Sequence, residues 1–249
     1  MAEPAESTTP WVFRNRGLLI GAAFLSAAFL SRLLAPYVRV PLLDRTTALD
    51  PRLQIGSTLP FDGAPVWQIA APCLLIVAAM LLRAWGTSYL RGRVMMDRSL
   101  HTDRLIVAGP FRWLRNPLYL GNLLFAAAFG LYLPPPGLPL AVLAMALPLG
   151  FVASAEERAL RQRYGAEYGA YAAKVAAFLP RPPPKDLPRG SEVRPDWANG
   201  LLSESWHLLV GAYLACTALR QQTAALVVLA VAVVGITVSR AWQRRHAKA

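Results

Sequence analysis

The chain has 249 residues, of which 55% are hydrophobic and 16% are charged, and its formal net charge is +12. Soluble domains usually carry about 25% charged residues, so this composition excludes an ordinary water-soluble globule. The high apolar content also excludes a disordered chain. The two cysteines, Cys73 and Cys216, lie inside apolar runs, which excludes a disulfide framework and a cysteine-based zinc site.

Six apolar stretches approach the length of about 20 residues that crosses a bilayer as a helix. They predict transmembrane helices at 17–35, 66–86, 117–133, 137–154, 205–220 and 223–241. The run Pro134-Pro135-Pro136-Gly137 predicts a tight turn between the third and fourth of these helices, because proline cannot continue a helix. We therefore predict an all-α integral membrane fold.

The positions of the basic residues predict the orientation of these helices. Of the 26 Lys and Arg residues, 21 lie on one side of the membrane, with Arg83 assigned to the loop after the second span, and four lie on the other, with Arg32 inside the first span. Cytosolic loops are the basic ones, so we expect a multi-pass protein of the cell or inner membrane with both termini in the cytosol. This distribution explains the charge by topology and attraction to anionic membrane lipids, and it requires no nucleic acid.

The cytosolic loop that enters the third span contains the first candidate motif. Two turn signals, Gly109-Pro110 and Asn116-Pro117, bracket Arg112 and Arg115. Pro117 stands where a helix would begin, since its missing N–H costs nothing there. The first-turn amides and the two arginines could bind an anion or a carboxylate. The alternative is a basic cytosolic loop with a helix-capping Asn-Pro.

The segment after the fourth span contains the second candidate motif. An amphipathic helix at the headgroup level is predicted, because apolar and aromatic residues recur there every three to four positions: Leu160, Tyr164, Tyr168, Tyr171 and Val175. Glu156 and Glu157 lie where the fourth span emerges into the cytosol, and they could accept hydrogen bonds from ribose hydroxyls or amines. The alternative is a solvated helix with ion pairs such as Glu157 and Arg161.

Together these two segments resemble the membrane methyltransferases of the isoprenylcysteine carboxyl methyltransferase and phospholipid methyltransferase superfamily. The resemblance covers residues 100–181, and the matching positions are Leu105, 109–112, 115–121, Glu156, Glu157, Leu160, Tyr164, Gly165, Glu167, Tyr168, Tyr171 and 178–180. One departure is Asn116, which stands where the family often has histidine. Asparagine cannot titrate near neutral pH, so an imidazole base is not available at this position.

The resemblance implies S-adenosylmethionine as the methyl donor and a lipophilic, lipid or prenylated acceptor. It implies a cofactor site made by Leu105, Gly109, Arg115, Asn116, Pro117, Tyr119, Gly121, Glu156 and Glu157. Catalytic roles are expected for Arg112, Arg115 and Glu157, and acceptor binding for Arg112, Tyr164 and Tyr168. A carboxylate acceptor is already ionised and needs a cation such as Arg112, whereas an amine acceptor needs a base such as Glu156 or Glu157.

Four functions are consistent with these observations. The leading hypothesis is an enzyme like protein-S-isoprenylcysteine O-methyltransferase, and the first alternative is a phospholipid N-methyltransferase. More distant alternatives are a nicotinamide-dependent membrane reductase and a membrane scaffold without activity. A Rossmann-type cofactor site is not predicted, since the chain has no G-x-G-x-x-G unit.

The chain is divided by prediction into three parts. Residues 1–65 form an anchor helix with an extracytosolic loop, residues 66–181 form the methyltransferase core, and residues 182–249 form a proline-rich linker with a C-terminal transmembrane hairpin. The three histidines, His101, His207 and His246, have no metal-ligand neighbours in the sequence, so no metal site is predicted.

Overall fold

The computed structural model describes residues 15–35, 37, 67–90, 105–134, 136–187 and 194–218, with isolated positions at 227, 228, 230, 231 and 235. Its elements in chain order are α1 (Arg16–Leu34), α2 (Trp67–Tyr89), a short 3-10 helix (Gly109–Arg112), α3 (Pro117–Leu131), α4 (Gly137–Lys174), α5 (Trp197–Glu204) and α6 (Trp206–Ala218). No strand occurs within these ranges, so the all-α prediction is confirmed for the described part of the chain.

Five of the six predicted apolar stretches coincide with helices, namely α1, α2, α3, the first half of α4, and α6. The sixth, at 223–241, lies largely outside the described residues. Within the described residues, two helical segments, Ala70–Tyr89 and Gly137–Lys174, are long and apolar enough to cross a membrane, and Leu18–Leu34 and Pro117–Leu131 are shorter apolar helices. The number of six spans and the cytosolic position of both termini stay predictions.

The positions at which α3 and α4 begin follow from the local proline residues. Pro117 is the first residue of α3, and α4 begins at Gly137, directly after the proline-rich turn. The helix α4 does not end at residue 154 but continues past Glu157 as far as Gly165, whose φ of 50° and ψ of −121° are not helical. A second helical segment follows this kink and ends at Lys174, so the predicted amphipathic segment lies on both sides of the kink.

Helix α2 lies at the centre of the described fold, where α3, α5 and α6 pack against it, while α1 packs against α4. The main apolar cluster joins Ile76 and Ala79 of α2 to Phe125 of α3. Phe24 of α1 meets the Phe125 ring edge-on at a centroid distance of 5.8 Å. Helices α2 and α5 approach closely because Gly200 has no side chain: a Cβ atom there would lie 2.5 Å from the Ala84 carbonyl oxygen.

The assignment of Arg83 to a cytosolic loop was wrong. Arg83 lies inside α2, six residues before its last residue, Tyr89. The physical reason is a partner that the sequence does not show: the Arg83 Nε atom lies 2.7 Å from Glu204 Oε2, and this carboxylate neutralises a cation inside an apolar helix. The predicted cytosolic side therefore keeps 20 of the 26 basic residues rather than 21.

Candidate functional site

The motif loop, defined here as residues 105–116, is shaped by a glycine that no other residue could replace without strain. Gly109 has φ of 55°, in the left-handed region that favours glycine. A Cβ atom at Gly109 would lie 2.3 Å from the Tyr89 ring at the end of α2. Because glycine has no Cβ atom, the loop can pack closely against the end of α2 before the chain enters α3 at Pro117.

The motif loop is held by main-chain hydrogen bonds to the segment that comes after α4. These bonds run from the Arg115 amide to the Ala176 carbonyl (2.8 Å), from the Asn116 amide to the Ala177 carbonyl (3.1 Å) and from the Arg181 amide to the Trp113 carbonyl (3.0 Å). The Asn116 side-chain Nδ2 also donates to the Ala177 carbonyl at 3.2 Å. Asn116 thus fixes the backbone of the loop with both of its nitrogen atoms.

An ion pair joins the two motifs. The Arg115 Nη2 atom lies 3.1 Å from Glu157 Oε1, and the two side chains are 15% and 22% exposed. The Arg115 Nη1 atom donates to the Ala172 carbonyl at 2.9 Å. The Arg115 Nε atom is buried and has no acceptor among the described residues. Arg115 therefore keeps one buried donor beside a partly exposed carboxylate.

The tyrosine face of α4 packs against the motif loop. Tyr168 is 1% exposed, and Tyr171 is also buried and donates from its hydroxyl to the Phe111 carbonyl at 2.7 Å. Tyr164 and Leu105 are partly buried against the same cluster. The Arg161 guanidinium lies 5.5 Å from the centre of the Tyr168 ring, which is within the range of a cation–π contact.

The remaining candidate residues lie on other faces of the same elements. A Cβ atom at Gly121 would lie 2.4 Å from Arg83 Cγ, so Gly121 faces α2. Tyr119 packs against the cluster around Met145. The Arg112 Nη2 atom lies 3.4 Å from the Leu187 carbonyl, and Glu156 is partly buried. The structure therefore brings Arg115, Asn116 and Glu157 together and places Gly121 and Tyr119 elsewhere on α3.

Sequence reasoning missed a buried polar cluster, defined here as Arg83, Thr87, Asn122, Glu204 and His207. Glu204 accepts from Arg83 Nε at 2.7 Å and from the Thr87 hydroxyl at 2.9 Å. Arg83 Nη1 donates to the Asn122 Oδ1 atom at 2.7 Å. His207 Nδ1 lies 3.4 Å from Glu204 Oε2. The available signal was a lone arginine in one apolar run and a lone glutamate entering another.

Metal binding finds no support in the described part of the chain, where no group of three or more His, Cys, Asp or Glu residues could hold an ion. The absence of a metal site stays a prediction for the whole chain.

Comparison with known proteins finds a family match that includes both residues of the Arg115–Glu157 ion pair. The family model described as phospholipid methyltransferase matches residues 67–167. No curated protein and no solved structure matches the chain. The matched segment contains α2, α3 and the part of α4 that carries Glu157, whereas Glu204 and His207 lie beyond it. The resemblance to integral-membrane methyltransferases is thereby confirmed for this segment.

Proposed function

Because residues 67–167 match the phospholipid methyltransferase family, we propose that this chain is a membrane enzyme that transfers a methyl group from S-adenosylmethionine to a lipophilic acceptor. The observation that carries the proposal is the Arg115–Glu157 ion pair at 3.1 Å. It joins the two motifs at the start of α3, where the resemblance expects the cofactor. The proposed topology has six spans, with this site facing the cytosol.

The opposite charges of Arg115 and Glu157 are complementary to the two charges at the amino-acid end of the cofactor. That end carries a carboxylate and an ammonium group. The buried Arg115 Nε donor would bind the carboxylate, and Glu157 would bind the ammonium group. Asn116 and Pro117 would complete the pocket by fixing the backbone between these side chains. When bound, S-adenosylmethionine supplies an electrophilic methyl group on a sulfonium.

The family match favours an amine-bearing phospholipid as the acceptor. An amine loses one proton for each methyl group that it gains, so a proton acceptor has to lie near the nitrogen. Glu156 precedes Glu157 on α4. A role for Glu156 as the proton acceptor would leave the ion pair between Glu157 and Arg115 intact. We assign the proton-accepting role to Glu156 and the anchoring role to Glu157.

A carboxylate acceptor such as a prenylated cysteine is the second candidate, which the motif resemblance favours. No proton acceptor is needed for this chemistry, because a carboxylate is already ionised near neutral pH. Arg112, which lies in the motif loop, would bind the acceptor carboxylate. Tyr164 would contact the acceptor beside Arg112. The buried Tyr168 belongs to the cluster against which Tyr164 packs, and it would hold Tyr164 in place.

Binding of S-adenosylhomocysteine to the purified protein in detergent tests the proposed cofactor site. Glu157→Gln removes the charge at constant size, and we expect a loss of affinity of about tenfold or more, which corresponds to about 1.4 kcal/mol. Arg158→Gln is the matched control, since Arg158 is the exposed next residue on α4. The proposal fails if the native protein shows no saturable binding, or if Glu157→Gln binds as tightly as Arg158→Gln.

Transfer of a methyl group from labelled S-adenosylmethionine distinguishes between the two candidate acceptors. The enzyme is incubated with vesicles of phosphatidylcholine that contain either phosphatidylethanolamine or an S-prenylated cysteine. Incorporation into the first lipid, in a form that resists base, supports N-methylation. Incorporation into the second, released by base as methanol, supports the carboxyl ester. The acceptor assignment is wrong if only the ester forms.

A further inference from the structure

The buried polar cluster connects the C-terminal segment to the first turns of α3. Glu204 is 1% exposed and the Arg83 side chain is 12% exposed, so both charges lie in the interior. The guanidinium contacts Glu204 with two nitrogen atoms, Nε at 2.7 Å and Nη2 at 3.1 Å. Such a two-point contact fixes the plane of the guanidinium as well as its position.

The remaining nitrogen of Arg83 is directed at α3. Arg83 Nη1 donates to the Leu118 carbonyl at 3.1 Å and to the Asn122 side chain at 2.7 Å. Leu118 is the second residue of α3 and comes directly after Pro117. The guanidinium that Glu204 binds therefore also contacts the start of α3, next to the Arg115–Glu157 site.

Glu204 is itself held by several groups. The Thr87 hydroxyl donates to Oε1 at 2.9 Å. His207 is fully buried, and its Nδ1 atom lies 2.9 Å from the Glu204 carbonyl oxygen and 3.4 Å from Oε2. The His207 ring packs edge-on against Phe125 of α3 at 5.0 Å. Thr87 and His207 thus hold the carboxylate beside the Arg83 guanidinium, which suits a group that orients another.

We propose that Glu204, acting through Arg83, is a positioning residue for the start of α3 and so for the Arg115–Glu157 site. The inference assigns a role to a residue outside the segment 67–167 that matches the family. Its ligand-binding consequence rests on the proposed function, whereas its consequence for the helix start does not.

The test compares Arg83→Met, Glu204→Met and the double variant Arg83→Met/Glu204→Met in the full-length protein. Removal of one partner leaves a buried charge and should lower the thermal unfolding temperature, while removal of both should restore most of it. The double variant then reports on positioning at nearly native stability. Tyr132→Phe is the control, because it removes a partly buried polar contact, that of the Tyr132 hydroxyl with Cys73 Sγ at 3.7 Å, at the other end of the same two helices.

Two readouts separate positioning from general stability. Hydrogen exchange of peptides that cover residues 115–123 should rise about tenfold in the double variant, with exchange in the first half of α4 unchanged. The affinity for S-adenosylhomocysteine should fall by about tenfold, while Tyr132→Phe keeps native values for both.

The positioning role of Glu204 is overturned if the double variant shows native exchange at residues 115–123, or if exchange rises equally in α2, α3 and α4. If the native protein binds no S-adenosylhomocysteine but the local rise in exchange persists, the positioning role stands and the proposed function fails. If the native protein binds it and the double variant binds it equally well, the positioning of the Arg115–Glu157 site by Glu204 is overturned, while the proposed function stands.

Discussion

At the scale of single residues, packing against α2 explains why position 121 is a glycine. The resemblance alone assigned this residue to the cofactor site. A Cβ atom at Gly121 would lie 2.4 Å from Arg83 Cγ and 3.2 Å from the Ala79 carbonyl oxygen. Glycine at this position therefore makes room for the buried arginine stem between α2 and α3. The proposed cofactor role of Gly121 would act through this packing.

Gly121→Ala should destabilise the protein. The added methyl group forces the Arg83 stem to move, and overpacking of this kind typically costs about 1–3 kcal/mol. The measurement is the thermal unfolding temperature in detergent. Gly150→Ala is the control, since a Cβ atom at Gly150 would meet nothing within 4 Å, and a helical alanine is favoured over glycine by up to about 1 kcal/mol. Equal unfolding temperatures for the two variants would contradict this account of Gly121.

At the scale of elements, the kink in α4 decides where the tyrosine face lies. Gly165 separates the part of the helix that carries Glu157 from the part that carries Tyr168 and Tyr171. Beyond the kink, the Tyr171 hydroxyl reaches the Phe111 carbonyl in the motif loop. A straight helix would not keep this relation between the two halves, so the kink is part of how the motif loop is anchored.

Gly165→Ala tests this role of the kink. A φ of 50° with a ψ of −121° is rarely adopted by residues with a side chain, and such strain costs about 1–3 kcal/mol. We expect a lower unfolding temperature together with faster hydrogen exchange in the motif loop. Gly169→Ala, four residues further along α4, has open space and no positive φ and should lack both effects. Unchanged exchange in Gly165→Ala would show that the loop is anchored without the kink.

Local chemistry made the helix starts predictable, whereas the kink and the buried charges depend on tertiary contacts and were not predictable. Pro117 begins α3 as expected, because proline suits the first helical position. Glycine at 165 permits a positive φ, but the flanking residues favour helix, so no local signal places a kink there. The approach of Arg115 to Glu157 followed from the two motif halves, whereas Arg83 and Glu204 are separated by 121 residues, and no local pattern pairs them.

At the scale of the whole molecule, the C-terminal segment 194–218 closes against the end of α2 at several points. The Asp196 amide donates to the Ser88 carbonyl at 2.7 Å, and the Asp196 side chain accepts from the Asn199 amide at 3.0 Å, which caps α5. Together with the contacts of Glu204, these hydrogen bonds hold α5 against the end of α2. The predicted boundary at residue 181 stays a prediction, but the part of the chain before it is stabilised by contacts with α5, which lies beyond it.

Deletion of residues 194–249 should destabilise the remaining chain mainly because Arg83 loses Glu204. A buried charge without its partner typically costs about 3–5 kcal/mol. Adding Arg83→Met to the truncated chain removes that charge and should recover part of the loss, measured as the unfolding temperature and the yield of monodisperse protein in detergent. Deletion of residues 242–249 alone, which leaves Glu204 and the predicted span at 223–241 in place, should have little effect. If Arg83→Met gives no recovery, the main contribution of the C-terminal segment is apolar packing, and the charge pairing that links it to α3 has no measurable weight in the stability of the fold.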